Sequence, residues 1–435
     1  MDYKLDANLV SQIKAAVDSN LKEQLSYTQQ LIATGLQRGE EKPIQDLIYY
    51  EIKKRGYTVE YIEMDDKVLS VHEGGSMFSI EHSTAPLVVG KHTPKGKAKG
   101  KSLVLNAHID IVPTGPEQLW KYGPYNPIIE GDWLYGRGGA DMKAGSAINL
   151  YALDALKKIG YQPASEVQIH SVVEEESTGN GSMMLHLKGY TGDAVLIPEP
   201  EEDKLVKGNV GAIWFQVEVM TKPVHVREMQ NGSNAIDAIY RIIGVLRELE
   251  ADWNLRTTGM KNYENLDHPL NLNIGKIVGG DWASSVPAWA RIDCRIAILP
   301  GIKACNAAKE IINKVAEFAD KDFFLKASAP PKVIFNGFFA EGYELEEGTD
   351  AEKVLKLSHF EAFEGEELES FVTAGYLDTR VHALYDKIPA LCYGPVSKGI
   401  HGFDEAVSIS SIKKITTAYA LFIARWCGLE KVSHN

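Results

Sequence analysis

The stretch Ser102-Leu-Val-Leu-Asn-Ala-His108-Ile-Asp110 decides how this chain is read. Leu103 to Ala107 is a compact, mostly apolar run between a Lys/Gly-rich segment and Pro113-Thr-Gly115. Such a run reads as a buried strand with a turn after it. A buried strand should end apolar, yet this one ends in His108 and Asp110. Being two residues apart, both side chains lie on one side where the chain leaves the sheet. Imidazole is a good ligand for a borderline metal, and a carboxylate beside it can fix its tautomer. Alone the pair is a weak signal; the residues downstream strengthen it.

The 435 residues exceed one ordinary core and predict two or three domains. A hydrophobic fraction of 44% is that of a globular protein, and a formal net charge of −13 repels polyanions, which argues against a nucleic-acid partner. Cys294, Cys305, Cys392 and Cys427 are scattered without a C-x-x-C, so neither a disulfide framework nor a thiolate zinc site is expected. A reducing, cytoplasmic setting fits. Met1 to Asp6 lacks the basic and apolar regions of a signal peptide, and no long apolar run predicts a membrane span.

Helices are expected over Ala7 to Ala33 and Ile44 to Lys54, followed by a strand over Tyr57 to Met64. The basic, glycine-rich Lys95 to Lys101 reads as a solvated turn, since it lacks P-loop spacing and interleaved aromatics. Gly136-Arg-Gly-Gly-Ala-Asp141-Met-Lys143 precedes a helix over Lys143 to Lys158, which puts Asp141 just before a helix N-terminus, where the dipole would stabilise it. Val167 to Val173 reads as a strand ending in Glu174-Glu175-Glu176, and Ala194 to Ile197 as one ending in Pro198-Glu199. Carboxylates at the ends of buried strands are costly unless something positive neutralises them. In an open α/β sheet the carboxyl ends of the strands face one crevice, so these acids are expected to converge with His108.

From Asn209 the pattern changes. Strands over Ala212 to Met220, Leu270 to Val278, Ala290 to Leu299 and Lys332 to Phe339, with helices over Ser233 to Leu249 and Lys303 to Ala319, follow the β-α-β-β-α-β order of a ferredoxin-like unit. The α/β pattern then resumes, with a helix over Thr349 to Phe363, a strand over Ala390 to Tyr393, a loop carrying His401 and a helix over Ser410 to Trp426. The expected architecture is a phosphorylase/hydrolase-like α/β/α sandwich over 1–208 and 329–435, with a ferredoxin-like α+β domain inserted at 209–328.

Two divalent ions held together need a bridging carboxylate, further carboxylate and imidazole ligands, and a separate carboxylate as base. The chain offers such a set. The order His108-x-Asp110, Gly136-Arg-Gly-x-x-Asp141, Glu174-Glu175-Glu176, Glu199-Pro200, and His401 with Asp404-Glu405 resembles the M20 metallopeptidase family over nearly the whole chain. That group includes acetylornithine deacetylase, succinyl-diaminopimelate desuccinylase, aminoacylase and carboxypeptidase G.

The resemblance implies a dinuclear amidohydrolase with Zn²⁺, or Co²⁺ or Mn²⁺. His108 and Glu199 would bind one ion, Glu176 and His401 the other, and Asp141 would bridge. Asp110 would orient His108, and Glu175 would be the general base. The inserted domain would be a lid and homodimer interface carrying His225 toward the oxyanion, and Arg380 would grip a substrate carboxylate. Ser285 stands where the family often has a substrate-contacting Asn, Thr221 where it often has Gly, and Leu377 where Thr is common. These departures bear on the substrate, not the reaction class. The implied substrate is an N-acyl amino acid or similar small carboxylate-bearing amide. A metallo-dipeptidase or carboxypeptidase is the nearest alternative, and a non-catalytic binding protein a more distant one. A glycosidase with paired carboxylates is disfavoured by the histidines at ligand positions.

Overall fold

The computed structural model describes residues 3–35, 38–78, 82–264 and 266–432. Among the described residues two large hydrophobic cores form, beside three small clusters. The larger is built on a nine-stranded mixed sheet, and the smaller on a four-stranded one. The order in the large sheet begins Thr58–Ile62, Leu87–His92, Val167–Val172, Leu103–His108, Val195–Ile197 and Ala390–Tyr393. Leu205–Asn209 and Tyr343–Glu344 complete that path, and Ser370–Thr373 also pairs with Leu205–Asn209. The four strands from Val167–Val172 to Ala390–Tyr393 are mutually parallel. Their carboxyl ends therefore open on one edge, and His108, Glu174 to Glu176 and Glu199 follow there directly. Leu87–His92, a buried run after Pro86, is a strand that the sequence reading passed over.

Helices cover both faces. Asn106 pairs with His170 in the parallel register, so Ser171 points the other way. Gln45 of the helix Lys42–Lys54 bonds Ser171, whereas Ser182 of the helix Asn180–Leu187 bonds Asn106. The helices Ala7–Ala33, Ala144–Lys158 and Ile409–Trp426 bury their apolar stripes in the larger core, as their spacing predicts. The α/β/α sandwich is what the alternating pattern implied.

The smaller sheet has the order Leu272–Gly279, Trp289–Ile298, Gly211–Met220, Lys332–Ala340, all antiparallel, with the helices Ala235–Leu255 and Ala304–Lys321 packed on it. This is the split βαβ arrangement. Its last strand corrects the boundary drawn at 328. Ala340 pairs with Ala212, so ladder hydrogen bonds carry the unit through Ala340. The four cysteines are free. Among the described residues no helix is long and apolar enough to cross a membrane.

Candidate metal centre

Each ligand candidate is delivered by a strand end or the turn behind it. His108 closes its strand, 1% exposed. Its Nδ1 lies 3.1 Å from the backbone carbonyl of Asp110 and 3.5 Å from the Asp110 carboxylate. Both contacts make Nδ1 the donor and leave Nε2 facing the pocket. The Asp110 carboxylate also accepts from the backbone N–H groups of Glu175 (3.3 Å) and Glu176 (3.1 Å). It thus fixes the imidazole and the start of the acidic turn together.

Asp141 lies where the sequence expected it, in a different conformation. The helix starts at Ala144, and Asp141 sits in a wide turn over Gly139–Lys143 with extended backbone angles. It does not cap the helix. Its two oxygens separate: Oδ1 is 3.1 Å from His108 Nε2, and Oδ2 is 3.2 Å from His401 Nε2. His401 Nε2 is also 3.2 Å from Glu176 Oε2, and Glu199 Oε1 lies 3.6 Å from His108 Nε2. Two groups of three ligand atoms result, each within 4.8 Å: His108, Asp141 and Glu199, and Asp141, Glu176 and His401. The first is enclosed. The second opens to solvent through His401, whose side chain is 55% exposed.

The charge state of this cluster follows from its crowding. Burial opposes charge on His108, yet Glu199, Glu175, Asp110 and Asp141 outweigh it and hold its pKa well above the usual range. Glu176, against the opposing effect of burial, and Asp141 push His401 up to about 11. Burial lifts the Glu199 carboxyl to about 7, with His108 opposing and Asp141 and Glu176 adding to the rise. Burial also raises Glu175 well above the carboxylate range; His108 opposes this, and Glu199, Asp378 and Glu176 add to it. Glu199 Oε1 is buried and has no hydrogen-bond partner among the described residues. A buried carboxylate oxygen left bare is costly, and a metal ligand is a direct way to satisfy it. The donors are oxygen and imidazole nitrogen without thiolate, which fits Zn²⁺, Co²⁺ or Mn²⁺.

The Glu174-Glu175-Glu176 run divides by role. Glu174 is buried and accepts from Arg38, Ser83 N, Ser177 Oγ and Thr178 Oγ1, so it is structural. Glu176 joins the His401 group. Glu175, 6% exposed, has Oε2 3.8 Å from His108 Nε2 and belongs to neither group of three.

Other expected site residues lie elsewhere. Arg380 is 0% exposed and donates to Gly74 O, Glu341 and Tyr385. Its two Nη atoms are engaged within the protein, whereas its Nε has no hydrogen-bond partner among the described residues. His225 and Ser285 are brought together by an isolated bridge on the smaller domain, both exposed, with His225 Nδ1 accepting from Arg227 N. No hydrogen bond or ion pair joins them to the metal groups among the described residues.

Two features escaped the sequence reading. Asp378 is buried and accepts from Ser182 Oγ (2.6 Å) and Tyr376 OH (3.0 Å). Tyr376 OH occupies the space beside Gly179, where a Cβ would sit 1.8 Å from it, so only glycine fits that turn. Arg137 and Glu405 form a buried pair at 2.6 Å beneath Asp141. Both appear in the sequence next to ligands, in Gly136-Arg-Gly and Asp404-Glu405, and that adjacency was the available signal.

Residues 104–425 match the family model described as peptidase family M20/M25/M40. The chain is 26% identical over 370 residues to the N-formyl-4-amino-5-aminomethyl-2-methylpyrimidine deformylase of Bacillus subtilis, covering 80% of this chain and 84% of that one. It is 27% identical over 350 residues to the succinyl-diaminopimelate desuccinylase of Dinoroseobacter shibae, covering 74% and 83%. Human carnosine dipeptidase 1 shares the fold with a TM-score of 0.74 at 13% identity, over 96% of this chain and 99% of that one. With most of its length matched and its ligand-type residues gathered at one sheet edge, the chain belongs to peptidase family M20/M25/M40, hydrolases acting on amide bonds.

Proposed function

We propose that the chain is a dinuclear-metal deacylase that cleaves the amide bond of a small N-acyl amine or N-acyl amino acid. One observation carries the reading: the two oxygens of Asp141 face separate imidazoles, His108 and His401, at 3.1 and 3.2 Å. A carboxylate so divided is suited to bridge two ions. His108 and Glu199 would hold the enclosed ion, and Glu176 and His401 the outer one. When bound, such a pair polarises an amide carbonyl and lowers the pKa of water at the site.

The remaining steps fall to the chain's own side chains. Asp110 keeps His108 Nδ1 protonated, so Nε2 presents its lone pair. Glu175 takes the proton from the attacking water and returns it to the leaving amine nitrogen. Burial raises its pKa above the usual carboxylate range, the direction that favours a group which must later give its proton back. His225 and Ser285, paired on the smaller domain, would reach substrate when that domain, from this chain or a second copy in a homodimer, closes over the edge.

The reading does not rest on Arg380 gripping a substrate carboxylate, since both its Nη atoms donate within the protein. The relatives named as a deformylase and a desuccinylase support an acyl group from formyl to succinyl. The test is hydrolysis of N-formyl, N-acetyl and N-succinyl amines beside dipeptides, with zinc or cobalt added and metal counted per chain. Turnover of acyl amides is expected. Full activity after exhaustive chelation would end the metal reading, and cleavage of dipeptides alone would make the protein a dipeptidase.

A further inference from the structure

We infer that Arg137 and Glu405 are positioning residues that set the affinity of the outer metal group, Asp141–Glu176–His401. The inference rests on the two-ion reading above and adds two residues that touch no proposed ligand atom. Glu405 is 1% exposed, and its oxygens are engaged by four donors. Oε2 accepts from Arg137 Nη1 at 2.6 Å and Gly138 N at 3.1 Å. Oε1 accepts from Ala140 N at 3.0 Å and from the N–H of Asp141 itself at 3.1 Å. A carboxylate offers about four lone-pair sites, so Glu405 has none left for an ion. It is excluded as a ligand although it lies four residues beyond His401.

The arrangement is a brace between two loops. One loop carries Asp141, and three of its N–H groups, those of Gly138, Ala140 and Asp141, converge on Glu405. The other carries His401, and Arg137 crosses to it by donating from Nη2 to Gly402 O at 2.9 Å. The backbone N–H of Gly136 also donates to Glu405 O at 2.9 Å. The Trp120 ring lies 5.0 Å from the Arg137 guanidinium and edge-on to Phe403, which closes the outer side of the brace. His108 and Glu199 come from separate strand ends that the brace does not touch. His401 has no comparable anchor: it stands on an exposed turn with a positive φ of 61°. Asp141 is shared by both groups, but its distance to His401 has the brace on both of its ends, whereas its distance to His108 has it on one, so the outer group depends on the Arg137–Glu405 contact more.

The variant is Glu405→Gln, which keeps shape and removes charge. Wild-type and variant protein, stripped and then equilibrated against a series of chelator-buffered free-zinc concentrations, are analysed for zinc per chain and for metal-free Tm. The wild type is expected to load in two steps. Glu405→Gln should leave one step in place and move the other to about 10- to 100-fold higher free zinc. Combining it with His401→Ala should give no further displacement, because both changes act on one group. If Glu405→Gln does not accumulate folded, Arg137→Lys keeps the charge, drops the Gly402 contact and should displace the same step by less. Two unmoved steps in a folded variant, even with a lower metal-free Tm, would overturn the inference and leave the brace a plain stabilising pair. A wild type that holds a single zinc would overturn the two-ion reading, and this inference with it.

Discussion

Replacing Glu175 by Gln separates base from ligand within an acidic run. The side chain is 6% exposed, and its backbone N–H is tied to Asp110, so the near-isosteric amide should keep the turn in place. Its carboxylate lies 3.8 Å from His108 Nε2, outside both ligand groups, so the variant should keep the full metal content of the wild type. Losing a general base removes about 10²- to 10⁴-fold in rate. At ~1.4 kcal/mol per ten-fold, that is about 3–5 kcal/mol of barrier, and kcat should fall by that factor with KM little changed. Stability should move the other way. Glu199, Asp378 and Glu176 crowd Glu175 in the metal-free protein, so a neutral amide should raise the metal-free Tm. The assay is steady-state turnover of the best acyl amide, with elemental analysis on the same sample and a thermal melt in chelator. A kcat within ten-fold of wild type at full metal content would falsify the assignment. Loss of an ion, with turnover restored by excess metal, would make Glu175 a ligand instead.

Arg380→Ala should act on stability, because it leaves the buried Glu341 and the half-buried Tyr385 without their cation; the loss should be about 3–5 kcal/mol in urea unfolding. A rise in KM without loss of stability would return Arg380 to substrate binding. His359 is buried against Tyr393 OH, and burial, with Lys414 adding, lowers its pKa to about 4. Below pH ~6.5 the unfolded chain takes a proton that the folded chain refuses, so stability should fall as pH drops from about 6.5 to 4, by up to ~1.4 kcal/mol per unit. His359→Gln should flatten that slope, and equal slopes would refute the assignment. His225→Ala, at an exposed position, should lower kcat more than it raises KM while leaving Tm in place; an unchanged kcat would reduce His225 to the cap of its own turn.

The enclosed group of candidate ligands was legible because it breaks a rule that the sequence displays openly. An apolar strand that ends in His108, and others that run into Glu174 to Glu176 and Glu199, put charge where burial forbids it unless partners converge. Parallel strands then supply the convergence without further information, since their ends share an edge. Asp141 was legible as a ligand candidate but not in its conformation. A helix start and a wide turn ahead of one look alike in residue type, and only the turn lets the two oxygens face different imidazoles.

What the sequence could not carry is pairing between distant segments. Lys332–Ala340 reads as the last strand of the ferredoxin-like unit from its place in the β-α-β-β-α-β order, yet the boundary at 328 left it outside; which strand it pairs with, Gly211–Met220, lies more than a hundred residues earlier. Arg380 looked free because Glu341, its partner, stands 39 residues away, just past that last strand. Arg137 and Glu405 are 268 positions apart, and neither shows from its neighbours that it is buried. In each case the partner is distant in sequence, and the contact exists only once the smaller sheet or the His401 loop has docked. Ligands that violate burial declare themselves in one dimension, whereas the residues that hold those ligands in place satisfy burial and leave no such mark.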